Sequence, residues 1–170
     1  NKTYYGGGLI TFPAADITRP DQGLRVHEIN GIYDRGGSGT NTDEAQAVVT
    51  ALVEHISNPE CRQSIGVVTF NQKQQTLIEG LWDKALVETP DLEHWVSRLP
   101  QPLTIKNLES VQGDERDVIL FSTTFGKDSD GRFLLNFGPL GQVGGERRLN
   151  VAITRARDKM EIFTSFHPNE

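Results

Sequence analysis

The sequence predicts an α/β fold, a mainly parallel sheet with helices packed on its faces, and three observations lead to it. Apolar runs of strand length alternate along the chain with segments of helical period. The run IGVVTF at residues 65–70 is apolar and rich in β-branched side chains without alternation, as a strand covered on both faces must be. The 170 residues, 36% of them hydrophobic and 24% charged, suffice for one domain whose core needs neither disulfide nor metal.

Residues 24–29 read as the first strand, followed by a loop at 34–42 rich in Gly, Ser and Asn. Asn41 and Glu44 have the spacing of a helix N-cap with an N3 residue reaching back to it. Ala45, Val48, Val49, Leu52 and Ile56 then recur at helical intervals, which predicts a helix over 42–57. The buried strand 65–70 leads into a helix over 72–85 carrying Leu77, Ile78, Leu81 and Trp82 on one side, and Pro90 can open a short helix over 91–98. Residues 103–108 and 118–123 predict two further strands, separated by the polar turn 109–117. The Gly-rich stretch 126–145 reads as a surface excursion. Leu149, Ile153, Ala156 and Met160 form a narrow apolar stripe on a helix expected to end near Asp158, before a last strand at 161–166.

Composition narrows the function classes. No apolar run approaches the roughly 20 residues that cross a bilayer, and no signal-like segment opens the chain, so a cytoplasmic setting is expected. Cys61 is the only cysteine and His27, His55, His94 and His167 are scattered, which gives metal chemistry little support. A net charge of -6 argues against strong nonspecific nucleic-acid binding by the domain as a whole. The single methionine is Met160, so the chain lacks an initiator and is expected to be a piece of something larger.

Three stretches carry chemistry. RRLNVAITRAR at 147–157 holds four arginines, Arg147, Arg148, Arg155 and Arg157, in an acidic chain, and guanidinium suits multidentate recognition of phosphate. On a continuous helix, about 100° per residue sets Arg148 and Arg155 within about 20° of each other, so that both can converge on one anion. The competing reading is an amphipathic helix whose arginines solvate its outer face. QGDERD at 112–117 places a glycine and carboxylates in a turn between strands, suited to a phosphate and a ribose hydroxyl or, in the plainer reading, a charged turn. TFNQKQQ at 69–75 is a strand end feeding an amide-rich helix N-terminus, which suits an anion or simply a cap by Asn71. No GxxxxGK[ST] phosphate loop occurs in the 170 residues.

In this order and spacing the three blocks resemble motifs IV, V and VI of the second RecA-like domain of superfamily 1 helicases, in the branch of the RNA-surveillance helicases and their large bacterial relatives. IGVVTFNQKQQ resembles motif IV, TIKNLESVQGDERDVILFST motif V and GGERRLNVAITRARDKMEIF motif VI, and the segment 1–6 is similar to the stretch just after motif III. The resemblance spans nearly the whole chain. It implies a RecA-like three-layer sandwich over residues 1–170, the C-terminal motor domain of a longer protein whose preceding RecA-like domain carries the Walker loop and the Mg²⁺ ligands.

By the same resemblance the chain supplies half of an ATP site. Arg155 is the implied arginine finger, with Arg148 beside it; Gly113 brings backbone to the γ-phosphate, Glu115 holds the ribose, and Gln74 belongs to the motif IV wall. Thr69 and Asn107 fall on the nucleic-acid side, Asn107 standing where the family commonly has a hydroxyl residue. Gln75 occupies a position the family usually gives to arginine, and Lys73 or Arg148 are the candidates to supply that charge. The implied partner is single-stranded nucleic acid, and similarity of the stretch 137–141 to large bacterial members implies DNA and 5′ to 3′ polarity. The alternative implied by Gln75 is a RecA-like module that has lost catalysis and serves as a nucleic-acid or partner-binding scaffold.

Overall fold

The computed structural model describes residues 22–133, 141, 143 and 145–166. The expectations for segments 1–6 and 137–140 and for His167 lie outside these residues. Five strands, β1 (Gly23–Glu28), β2 (Ile65–Thr69), β3 (Thr104–Asn107), β4 (Arg116–Gly126) and β5 (Ala156–Ser165), form one sheet in the order β1-β5-β4-β2-β3. Every pairing is parallel, as the alternation of strand and helix signals predicts.

Helices α1 (Thr42–Ser57), α2 (Gln72–Glu88) and α3 (Leu92–Ser97) cover one face of the sheet, burying Val67, Val118, Leu120 and Phe163. Leu108 and Val111 of the segment joining β3 to β4, with α4 (Gly145–Ile153), cover the other over Val68, Ile119, Phe121 and Met160. Both faces of β2 are therefore dry, and all five of its residues are buried. β1 lies at the sheet edge, and its Leu24 and Val26 remain exposed.

Helix α1 forms as its pattern requires, with Asn41 Oδ1 accepting from the Glu44 N–H at 3.1 Å and Ala45, Val48, Val49, Leu52 and Ile56 buried in one stripe. The expected reach of Glu44 back to its cap does not occur. The Asn41 N–H donates to Gln74 Oε1 of α2 instead, at 2.9 Å, and Glu44 turns into the sheet. Helix α2 is likewise capped by Asn71 and runs three residues past the expected Ala85, until Thr89 precedes Pro90. Pro90 lies outside α3 rather than on its first turn: Asp91, at φ 65°, makes the corner and Leu92 anchors the helix in the core.

The largest departure from expectation is at the C-terminal end. α4 stops at Ile153 instead of continuing to Asp158, and Ala156 and Met160 belong to β5, which begins five residues before the expected Glu161. The physical cause is visible at the junction. Thr154 and Arg155 close the last helical turn, the Arg155 N–H donating to Ala152 O at 3.1 Å, and the Arg155 carbonyl then accepts from the Arg116 N–H at 3.0 Å, which draws the chain into the sheet. Pairing with β4 on one side and β1 on the other outweighs the helical period of the side chains.

Strand β5 carries a buried charge. Glu161, 3% exposed, accepts from His27 Nε2 of β1 at 2.6 Å, His55 Nε2 of α1 at 2.8 Å and Lys159 Nζ at 2.7 Å, while the His27 ring stacks on Phe163. These donors, His55 foremost, hold the carboxyl well below the usual carboxylate range against the opposing effect of burial. A carboxyl with a lowered folded pKa contributes stability that is present above its unfolded value, about 4.5, and is lost as the pH falls below it. Glu161→Ala is expected to cost about 3–5 kcal/mol at neutral pH, because it leaves the Lys159 ammonium without its counter-charge and the His27 and His55 rings without their acceptor. Denaturant titration at pH 7 and pH 3 checks both points: the difference between variant and parent chain must shrink in acid.

Candidate functional site

The site residues expected from the sequence fall at two opposite edges of the sheet. Glu115, Arg155 and Arg157 gather at the amino-terminal edge, where β4 and β5 begin, and Gly113 lies just ahead of them in the segment that enters β4. Arg155 Nη1 stands 3.5 Å from Glu115 Oε1, and its Nε and Nη2 donate to Val151 O and Thr154 Oγ1. The guanidinium is thus held by the end of α4 and by Glu115, with the side chain 20% exposed. Arg157, half exposed on β5, is shared between Glu115 Oε2 at 3.6 Å and Asp117 Oδ1 at 3.6 Å. Hydrogen bonds from the Ser64 N–H and hydroxyl, with the Arg157 charge, hold the Asp117 carboxyl below its usual range despite partial burial.

Gly113 has φ +91°, where a side chain is strained, and nothing lies within 4 Å of the position its Cβ would take. Backbone at Gly113 is therefore open to a ligand. Next to it a cleft of ≈ 480 Å³ separates α4 from the 108–112 segment, lined by Gln112, Glu109, Arg147, Arg148 and Val151. Because α4 ends at Ile153, Arg148 and Arg155 do not share a helical flank as expected. Arg148 lines the cleft on the helix, whereas Arg155 sits in the turn beyond it.

Gln74, Thr69 and Asn107 lie at the carboxyl-terminal edge. Gln74 is fully buried: Nε2 donates to Asn41 O at 3.0 Å and Ser122 Oγ at 3.2 Å, and Oε1 accepts from the Asn41 N–H. Ser122, its partner on β4, is six residues from Arg116, which bonds to Arg155, so Gln74 and Arg155 stand about 20 Å apart along the sheet. Thr69 is also buried and donates its hydroxyl to Asn71 O. Asn107, 4% exposed, spends its amide hydrogens on Gln72 Oε1 at 2.6 Å and Gln75 Oε1 at 2.8 Å. Gln72 and Lys73 are exposed at this edge.

The carboxyl edge is nevertheless where an open parallel sheet admits ligands. The chain leaves β2 toward the face covered by α2, and leaves its neighbours β3 and β4 toward the other face, so a crevice opens between adjacent strand ends. Asn71, Gln72, Lys73 and Glu109 border it. Sequence reasoning missed a second feature of this edge, the buried carboxyl of Glu44. It accepts from Ser122 Oγ at 2.7 Å, the Thr124 N–H at 2.6 Å and Ser165 Oγ at 3.0 Å, linking α1 to β4 and β5. No local signal announces it, since all three donors lie more than 70 residues away.

Comparison with known proteins gives the family. Residues 15–166 match a family described as AAA domain. The chain is 38% identical over 169 residues to the "Uncharacterized ATP-dependent helicase MG140 homolog" of Mycoplasma pneumoniae, covering 96% of this chain and 14% of that protein. It is 40% identical over 144 residues to the "Uncharacterized ATP-dependent helicase MG140" of Mycoplasma genitalium, 81% of this chain and 12% of that protein. The "Probable RNA helicase armi" of Drosophila melanogaster is 35% identical over 107 residues, 61% of this chain and 8% of that protein. The chain thus spans no more than about a seventh of the length of these relatives. With its all-parallel α/β sheet and these matches, the chain belongs to the AAA domain family and is a domain of the superfamily 1 helicase type.

Proposed function

We propose that this chain is the second motor domain of an ATP-dependent nucleic-acid helicase or translocase. The observation that carries the reading is the division of the site between two sheet edges joined by one crossover. At the amino edge Arg155 is the arginine finger, Arg148 supplies further positive charge from the cleft, Gly113 offers open backbone and Glu115 receives the ribose. At the carboxyl edge single-stranded nucleic acid, DNA in this reading, passes the crevice beside Asn107 and Thr69, with Gln74 supporting the edge from beneath.

The residues present fit one wall of a nucleotide site. The Arg155 guanidinium meets Glu115, and Gly113, two residues before Glu115 in the chain, has open backbone that admits a phosphate. Bound ATP supplies the phosphoryl group whose charge the guanidinium offsets, and the phosphate cradle and Mg²⁺ ligands belong to a preceding RecA-like domain. The carboxylates of this edge, Asp114, Glu115 and Asp117, are all engaged by arginine or lysine. Arg155 moves from Glu115 toward the nucleotide when the two domains close, and alternation of the closed and open cleft steps the strand. No helix among the described residues is long and apolar enough to cross a membrane, and the proposed setting is the cytoplasm.

The test compares the isolated chain with the parent protein. Hydrolysis of ATP with Mg²⁺ is expected only in the parent, and single-stranded DNA is expected to stimulate it. Hydrolysis by the isolated chain overturns the two-domain reading. Stimulation by RNA and not by DNA overturns the choice of track.

A further inference from the structure

Asn107 is the point at which the two edges are tied. Its amide nitrogen gives one hydrogen to Gln72 and one to Gln75, both on the first turn of α2, and its Oδ1 accepts from the N–H groups of Glu109 and Ser110 at 2.9 and 3.2 Å. Its backbone carbonyl accepts from the Ser110 and Val111 N–H groups, each at 3.0 Å. Gln75 is fixed in turn, its Nε2 donating to Ile105 O of β3 at 3.1 Å and to Glu79 Oε1 at 2.8 Å. The polar capacity of a buried asparagine is fully used here, which no exposed capping role requires.

From this hub the chain crosses the sheet without slack. Leu108 and Val111 are buried against Ile119 and Phe121, the Asp114 N–H closes a turn on Val111 O at 3.2 Å, and the Asp114 carboxylate is held by Lys106 and Arg116. Glu115 follows directly and meets Arg155. Gln75 and Asn107 are also the two positions at which the sequence departs from the pattern it resembles, and here they are hydrogen-bonded to each other. An arginine at 75 has no acceptor for the Asn107 amide.

We propose that Gln75 and Asn107 act as one positioning pair, which fixes the 108–115 crossover against α2 so that Gly113 and Glu115 keep their place beside Arg155. The pair touches neither nucleotide nor Arg155. It acts through the crossover, and its consequence for ATP rests on the function proposed above.

The experiment uses the parent protein with Gln75→Leu, Asn107→Ala and both together. Deuterium exchange of peptides covering 108–115 is expected to speed up by about tenfold or more in each single variant, since each removes the Gln75–Asn107 bond that ties the segment to α2. In Gln75→Leu the KM for ATP is expected to rise by about tenfold with kcat within about twofold, because placement of the ribose and phosphate wall is impaired while Arg155 remains. The double variant is expected to match the singles rather than multiply them, as groups in one hydrogen-bond network do. Gln75→Glu, made together with Glu79→Gln so that two carboxylates do not meet, keeps the acceptor for Asn107 and is expected to restore slow exchange. If Asn107→Ala fails to fold, Gln75→Leu and Gln75→Glu still decide, since the turn at 107–111 is intact in both. Unchanged exchange at 108–115 in Gln75→Leu, or independent effects in the double variant, overturns the pairing. An accelerated segment in a parent that hydrolyses no ATP leaves the pairing standing and fails the proposed function instead.

Discussion

Arg155→Ala in the parent protein is expected to lower ATP turnover by at least about a hundredfold, within reach of the roughly 10³ to 10⁵ that an arginine finger contributes to phosphoryl transfer. Ground-state affinity for ATP should change far less, because the guanidinium is most valuable to the charge of the transition state. The structure gives reasons beyond residue type. Arg155 is oriented by Val151 O and Thr154 Oγ1 at the end of α4, and its remaining contact, Glu115 at 3.5 Å, is long enough to exchange for a ligand. Arg157 is the internal control. It is half exposed and divided between Glu115 and Asp117, so Arg157→Ala removes surface pairs worth about 0–1 kcal/mol and leaves turnover within a few-fold. Steady-state kinetics with melting curves on both variants decide the matter: turnover that survives Arg155→Ala at unchanged stability, or that depends equally on both arginines, removes Arg155 from the role.

The sequence carried the fold well where the signal was local. β2 announced itself by five consecutive residues suited to a dry strand, and α1 by its cap and its stripe, because each is decided by contacts that its own side chains repeat. The boundary between α4 and β5 was not legible. Ala156 and Met160 fit the helical stripe as well as Leu149 and Ile153 do, and only the backbone bonds to Arg116 and the flanking strands settle the choice. That boundary decides how the site is read, since it takes Arg155 off the helix and Arg157 onto a strand.

Site residues were legible by type and order, and their grouping was not. Glu115 and Arg155 are far apart in the chain, yet β4 and β5 are neighbours that begin together, and the two side chains meet. Motif order put Gln74 beside the same ligand, whereas the parallel topology sends it to the other edge and buries it. Polarity in a sequence does not distinguish an amide facing a ligand from one that satisfies a neighbouring helix cap and a buried strand. Gln74 does the second, and Asn107 does the same for the crossover.

Glu44 is expected to make the domain less stable as the pH rises from about 4.5 to about 7, which is the reverse of the effect of Glu161. Burial pushes its carboxyl up to about 7, outweighing the four neutral donors, Ser122, Thr124, Ser165 and the Thr123 N–H, that favour the ionised form. Below the unfolded value near 4.5 both states are protonated and the contribution is fully present. Between 4.5 and 7 the unfolded chain ionises and the folded one does not, so stability falls by about 1.4 kcal/mol per pH unit, to a total of about 3 kcal/mol. Above 7 the loss is complete and the profile is flat. Glu44→Gln keeps an acceptor for the Thr124 N–H and removes the ionisation, so its stability relative to the parent chain should rise across that window. Glu44→Ala should instead cost at least about 3 kcal/mol at pH 4.5, since it strands the Thr124 N–H and two hydroxyls in the core. Part of that cost falls on Thr124, a β-branched residue at φ 69° in the left-handed region, whose N–H bond to Glu44 helps hold a conformation that costs about 1–3 kcal/mol. Guanidinium titrations of the parent chain and both variants at pH 4.5, 6 and 8 read these differences directly, and parallel profiles for Glu44→Gln and the parent chain rule out Glu44 as their source.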